Sequence, residues 1–220
     1  MATIQDTWAA STETPEKRTA AAEKFTAGVG SLFPGVTLAG TATDSKRTND
    51  DGTPNQLGLR SDGVQFNAFS SGNVDVPDNS QGAFFTVATP QGGNGGKQEF
   101  GMGYVDKDGN YVSATGKLDK DGKIFNGREL TVTIGNKAYD TGSLEELDRS
   151  IGKAKDPAAR ETLTTERALV ADAFGKLYKI SEAAATAGII PSALREIKPP
   201  AAEGDAPPRV CPPKPFVCGP

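Results

Sequence analysis

The chain has 220 residues and a net charge of −4 at pH 7, with no histidine and two cysteines, Cys211 and Cys218. Without histidine there is no Ser-His-Asp or Cys-His nucleophile system, and the commonest general base and the usual zinc and haem ligand sets are missing. The basic residues are scattered among acids, so no stripe can track a phosphate backbone and nucleic acid is excluded as an expected partner.

Residues 1–34 read as an arm followed by a helix. The amino terminus has neither a basic start nor an apolar run, so no secretory signal is expected there, and no later stretch approaches the ~20 apolar residues of a membrane span. The protein is therefore expected to be made in the cytosol and to end in a virion or an extracellular assembly. Residues 1–13 are small and polar apart from Ile4 and Trp8 and read as extended. Thr14 offers an N-cap oxygen, Pro15 suits the first helical position, and Ala21, Phe25, Gly28 or Val29, and Leu32 recur at helical spacing. These features predict a helix from Pro15 to Ala27, stopped by Gly28, Gly30 and Pro34. Residues 35–63 are too polar for a core element and read as a long loop.

Between residues 64 and 140 the period becomes two. VQFNAF from Val64, AFFTVAT from Ala83, Glu99–Val105, Tyr111–Leu118, Leu130–Ile134 and Lys137–Tyr139 alternate as half-buried strands. The tetrad Asp-Lys-Asp-Gly occurs twice in this region, with Asp106 and Gly109 in one copy and Asp119 and Gly122 in the other. Each Asp can open a type I turn and each Gly can take the left-handed position that closes it, which is a hairpin with a G1 bulge. The expected fold is α+β: an antiparallel β-meander, as a small sandwich or open barrel, flanked by an N-terminal helix and a C-terminal helical segment. Gly101 and Gly103, inside a strand, point to a close backbone approach.

Residues 141–198 return to a helical period. Ser143 and Glu146 have capping-box spacing. Asp156 and Pro157 open a second helix along Leu163, Arg167, Val170, Phe174, Leu177 and Ser181, ending near Gly188. At 1.5 Å per residue it is about 45 Å long, more than a small sheet covers, so Val170, Phe174 and Leu177 are expected to reach a partner helix or a second copy. Pro191–Ile197 reads as one more short helix. Residues 199–220 form a proline-rich tail suited to lying extended along a partner, with Phe216 and Val217 as its anchor. Cys211 and Cys218 are best read as a disulfide presenting that anchor, with free thiols or a link to a neighbouring chain as the alternatives. Deleting residues 199–220 is expected to leave the domain folded and to weaken its attachment.

Other chemistries fit poorly. GGNGGKQ, ending in Lys97 and Gln98, lacks the first glycine and the Ser or Thr of a phosphate-binding loop. The Asp-Lys-Asp-Gly tetrads place glycine fourth, where a calcium loop needs it sixth. Ser150 and Lys153 have Ser-x-x-Lys spacing without its companion motifs. The strand aromatics Phe66, Phe69, Phe84, Phe85, Phe100, Tyr104, Tyr111 and Tyr139 form either a core or a sugar-stacking platform. No cofactor or metal is expected. The chain reads as a non-enzymatic assembly protein, a capsid-decorating or accessory subunit of a virion or particle, that binds proteins and further copies of itself. Two alternatives remain: a leaderless secreted bacterial protein that binds or acts on host material, and a hydrolase using a carboxylate pair.

Overall fold

A computed structural model describes residues 4–45, 63–70, 80–88, 98–119, 123–124 and 130–199. Expectations for Lys97, Gly122, Cys211, Phe216, Val217 and Cys218 lie outside the described residues. Seven strands form one antiparallel sheet in chain order: β1 (Ala39–Ser45), β2 (Gly63–Phe69), β3 (Gly82–Ala88), β4 (Gln98–Val105), β5 (Tyr111–Leu118), β6 (Thr131–Ile134) and β7 (Lys137–Tyr139). Each strand pairs with its neighbour in sequence, which makes a pure meander with β1 and β7 at its edges. The helices are α1 (Ile4–Thr12), α2 (Pro15–Val29), α3 (Ser143–Lys153) and α4 (Pro157–Thr186).

The first tetrad turns the chain as its residues require. The Gly109 amide donates to the Asp106 carbonyl and the Asp106 amide to the Asn110 carbonyl, while Gly109 sits at φ 77°, the left-handed region open to glycine. The Asn110 amide also donates to Asp106 Oδ1, and the second copy repeats two of these three bonds: the Asp119 amide donates to the Lys123 carbonyl, and the Lys123 amide to Asp119 Oδ1. Leu118 then bridges to Ile124. The turn between β6 and β7 is closed by Gly135 at φ 57°, with Ile134 opposite Lys137.

One face of the sheet carries Phe66, Ala68, Phe85, Val87, Phe100, Met102, Tyr104, Val112, Ala114 and Val132, all buried in the main core. Helix α2 packs over β1 and β2, while the C-terminal half of α4 packs on α2, β3 and β4. Both helix starts follow their capping chemistry. Thr14 accepts from the Lys17 amide, and Asp156 accepts from the amides of Ala158 and Ala159, with proline next in each case. At the other end of α4, Gly188 at φ 77° closes a Schellman pattern in which the Ile189 amide donates to the Ala184 carbonyl.

Several expectations are corrected. The N-terminal arm is α1, with Ile4 and Trp8 buried and the Trp8 ring edge-on to Phe66 at 5.8 Å. The polar loop of residues 35–63 contains β1, whose Gly40 and Ala42 face α2. Gly28 does not stop α2; a Cβ there would lie 2.6 Å from Ala183 Cβ, so glycine lets α2 and α4 approach closely. The capping box at Ser143 is absent because Gly142 is the N-cap. Asp140 ties the entry instead, its Oδ1 accepting from the Gly142 amide and the Ser143 hydroxyl. Of Pro191–Ile197, only Arg195–Ile197 forms a helical turn.

Candidate functional site

The opposite face of the sheet is polar at its centre. The Gln65 Nε2 group donates to Asn67 Oδ1, Asn67 Nδ2 donates to Thr43 Oγ1 and Thr86 Oγ1 donates to the Val64 carbonyl. These buried groups are satisfied and serve the sheet. At one end of this face Phe69, Phe84 and Val105 form a small apolar cluster, and Phe84 stacks on the partly exposed Tyr111 with centroids 6.3 Å apart. The strand aromatics are therefore divided between two faces and do not make one platform. Gly103 belongs to this arrangement. A Cβ there would meet the Val112 carbonyl at 2.4 Å and the Phe84 ring at 2.7 Å, so the expected close approach involves a ring as well as a backbone.

A concave site lies at the end of β4, where distant parts of the chain converge. Leu32, Phe33 and Pro34 form one wall, with Gln81, Tyr104, Asp106, Lys107, Asp108 and Lys176 around the rest of a hollow of about 260 Å³. Lys176 is oriented from α4 by an ion pair with Asp172 at 2.8 Å and lies 5.3 Å from the centre of the Tyr104 ring. Burial, reinforced by the carboxylates of Asp172 and Asp106, pushes the Tyr104 phenol well above its ordinary range, so it stays a hydrogen-bond donor. Burial alone would raise the Asp106 carboxyl. Hydrogen bonds from the Asn110 side chain and from the amides of Asn110 and Asp108, together with Lys176, outweigh it and hold the group low. Asp106 is thus a turn-building carboxylate with its oxygens occupied, poorly suited to proton transfer.

The structure also locates the residues singled out by spacing. Val170, Phe174 and Leu177 lie 0%, 2% and 0% exposed inside the chain's own core, against α2 and the sheet, so their burial needs no second copy. Ser150 donates to the Glu146 carbonyl along its own helix. Among the described residues, no three acidic or cysteine side chains gather as metal ligands would, and no helix is long and apolar enough to cross a membrane. The hollow itself was not foreseen. Its turn was visible in the tetrad, but no periodic signal ties Lys176 or Gln81 to that turn.

Comparison of the chain with known protein families, with characterised proteins and with solved structures finds no match in any of the three.

Proposed function

We propose that the protein is a non-enzymatic assembly protein, a structural component of a virion or comparable particle. It joins protein partners and further copies of itself through its C-terminal helical segment. One observation carries this reading: from Pro157 to Leu169, α4 buries no residue, while Leu169 stands 52% exposed. This half of the helix and α3 form a two-helix limb. Leu144 of α3 is buried in the main core, and the Arg167 guanidinium braces the limb by donating to both carboxylate oxygens of Asp148, at 2.9 and 3.3 Å. Short helices gain most of their stability from packing, so a limb that adds little to its own core is suited to packing against another molecule. The attachment surface lies on the solvent side around Leu169, which is next in sequence to the buried Val170 but turned away from the face that buries Val170 and Phe174.

Light scattering across a concentration series, with quantification of the chain in purified particles, tests the proposal. An assembly larger than one 22.9 kDa chain is expected, and Leu169→Asp should dissolve it without lowering the melting midpoint. A chain that stays at the monomer mass and accompanies no particle would refute it.

A further inference from the structure

The hollow beside Tyr104 has a chemical character that attachment through α4 does not use. Tyr104 is 4% exposed, yet its hydroxyl makes no hydrogen bond to any described residue. A buried hydroxyl without a partner costs about 1–3 kcal/mol, and such a group beside a cavity is matched by whatever occupies that cavity. Three more side chains around the hollow are uncommitted among the described residues. Gln81 is fixed through its backbone, which donates to Ser70 Oγ and accepts from the Ser70 amide, while its amide head has no partner among the described residues. Asp108 uses its amide to close the turn but not its carboxylate, and the Lys107 ammonium makes no ion pair among the described residues.

The charges that line the hollow balance in number. Lys107 and Lys176 stand against Asp106 and Asp108, and Asp172, outside the lining, neutralises Lys176 through its ion pair, so the hollow offers an anion no net attraction. The free groups are one acceptor-only carboxylate, one donor-only ammonium, and an amide and a phenol that can do both. That mixture suits a molecule whose groups also both donate and accept, as a row of hydroxyls does. The wall of Leu32, Phe33 and Pro34 offers an apolar surface for the C–H side of such a molecule. A volume of about 260 Å³ is below the roughly 300 Å³ at which sites for drug-sized ligands begin, so the occupant is small.

We propose that this hollow binds a neutral polyhydroxylated ligand of one sugar unit, held by Tyr104, Gln81, Lys107 and Asp108 with its apolar side against Phe33 and Pro34. The site is independent of the limb and of the assembly role. Isotope-labelled full-length protein titrated with methyl glucoside, methyl galactoside and N-acetylglucosamine tests it, with inorganic phosphate and glycine as charged controls. At least one sugar should give saturable amide shifts confined to residues 32, 33, 81 and 104–108. Asp108→Ala, on an exposed turn, should weaken binding about tenfold or more without altering the fold. Tyr104→Phe should do the same while leaving the melting midpoint unchanged or higher, because the lost hydroxyl held nothing. If Tyr104→Phe fails to fold, Asp108→Ala decides. Absence of saturable shifts with every sugar, tighter binding of phosphate or glycine, or undiminished binding by Asp108→Ala would each overturn the assignment.

Discussion

The two halves of α4 share one backbone and differ in almost everything else. From Val170 to Ala184, eight side chains are buried; they interlock with α2 and the sheet, and Ser181 accepts from the Leu194 amide to fasten the chain's return. From Pro157 to Leu169 the same helix is held by polar contacts: the Asp156 cap, the Asp148–Arg167 pair, and Glu166, which accepts from Lys137 Nζ at 2.8 Å and from the Tyr139 hydroxyl at 2.9 Å. Apolar burial is insensitive to pH and changes little with salt, whereas exposed ion pairs depend on both and contribute little. One end of the helix therefore fixes the fold, and the other is a limb that can be altered without unfolding the domain.

The contrast can be tested by breaking each half. Phe174→Ala, in the buried half, should cost about 3–5 kcal/mol in urea denaturation, whereas Leu169→Ala should stay within about 0.5 kcal/mol of the wild type. A comparable loss at both positions would show that the limb belongs to the core. Next in size, Gly28→Ala places a methyl group 2.6 Å from Ala183 Cβ and should cost roughly 1–3 kcal/mol. Ala183→Gly should then recover part of that loss in the double variant, and simple additivity would show that the helices do not meet there.

Asp156→Ala removes the cap of the limb half and should cost about 1 kcal/mol. Faster hydrogen exchange at the Ala158 and Ala159 amides should report it more clearly than the global midpoint. The smallest effect is a pH dependence. Hydrogen bonds from Lys137 and then Tyr139 hold Glu166 below its ordinary range, while burial first and Glu166 next push the Tyr139 phenol up to about 12. Because the folded value for Glu166 is the lower one, its contribution is complete above the unfolded value of 4.5 and is lost as pH falls through the folded value. Lys137 is largely exposed, so the whole effect stays under about 1 kcal/mol. Glu166→Gln should be slightly less stable than wild type at neutral pH and indistinguishable from it near pH 3. A gap that widens in acid would reverse the assignment.

What was legible in the sequence follows from the same division between bulky and small residues. Alternating Phe, Met, Tyr and Val made β2 to β6 readable, and Asp106 with Gly109 specified its turn. Strand β1 was hidden because its inward residues are Gly40 and Ala42. A Cβ at Gly40 would meet the Ala22 carbonyl at 2.8 Å, so the position that packs most tightly against α2 carries no hydrophobic signal. α1 was missed for a different reason. Ile4 and Trp8 stand four apart, but two apolar residues among small polar ones are too few to outweigh the composition. The stripe on α4 was located correctly in sequence, yet spacing cannot reveal whether its partner is α2 of the same chain or a helix of another. The hollow joins residues 32–34, 81, 104, 106–108 and 176, so it exists only once the tertiary fold has formed.

The strand order has a consequence for how the molecule is made. Every ladder joins neighbours in sequence, so the sheet can grow one hairpin at a time, with little need for remote segments to meet. Its apolar face, however, is covered by helices from opposite ends of the chain, with Gly28 meeting Ala183. During synthesis the meander can be complete while α4 is still inside the ribosome, leaving Phe85, Phe100 and Met102 uncovered until the last fifth of the chain emerges. Docking of α4 is thus expected to be the late step of folding, and its release the early step of unfolding. Nascent chains stalled before residue 170 should be the protein's most chaperone-dependent and protease-sensitive form.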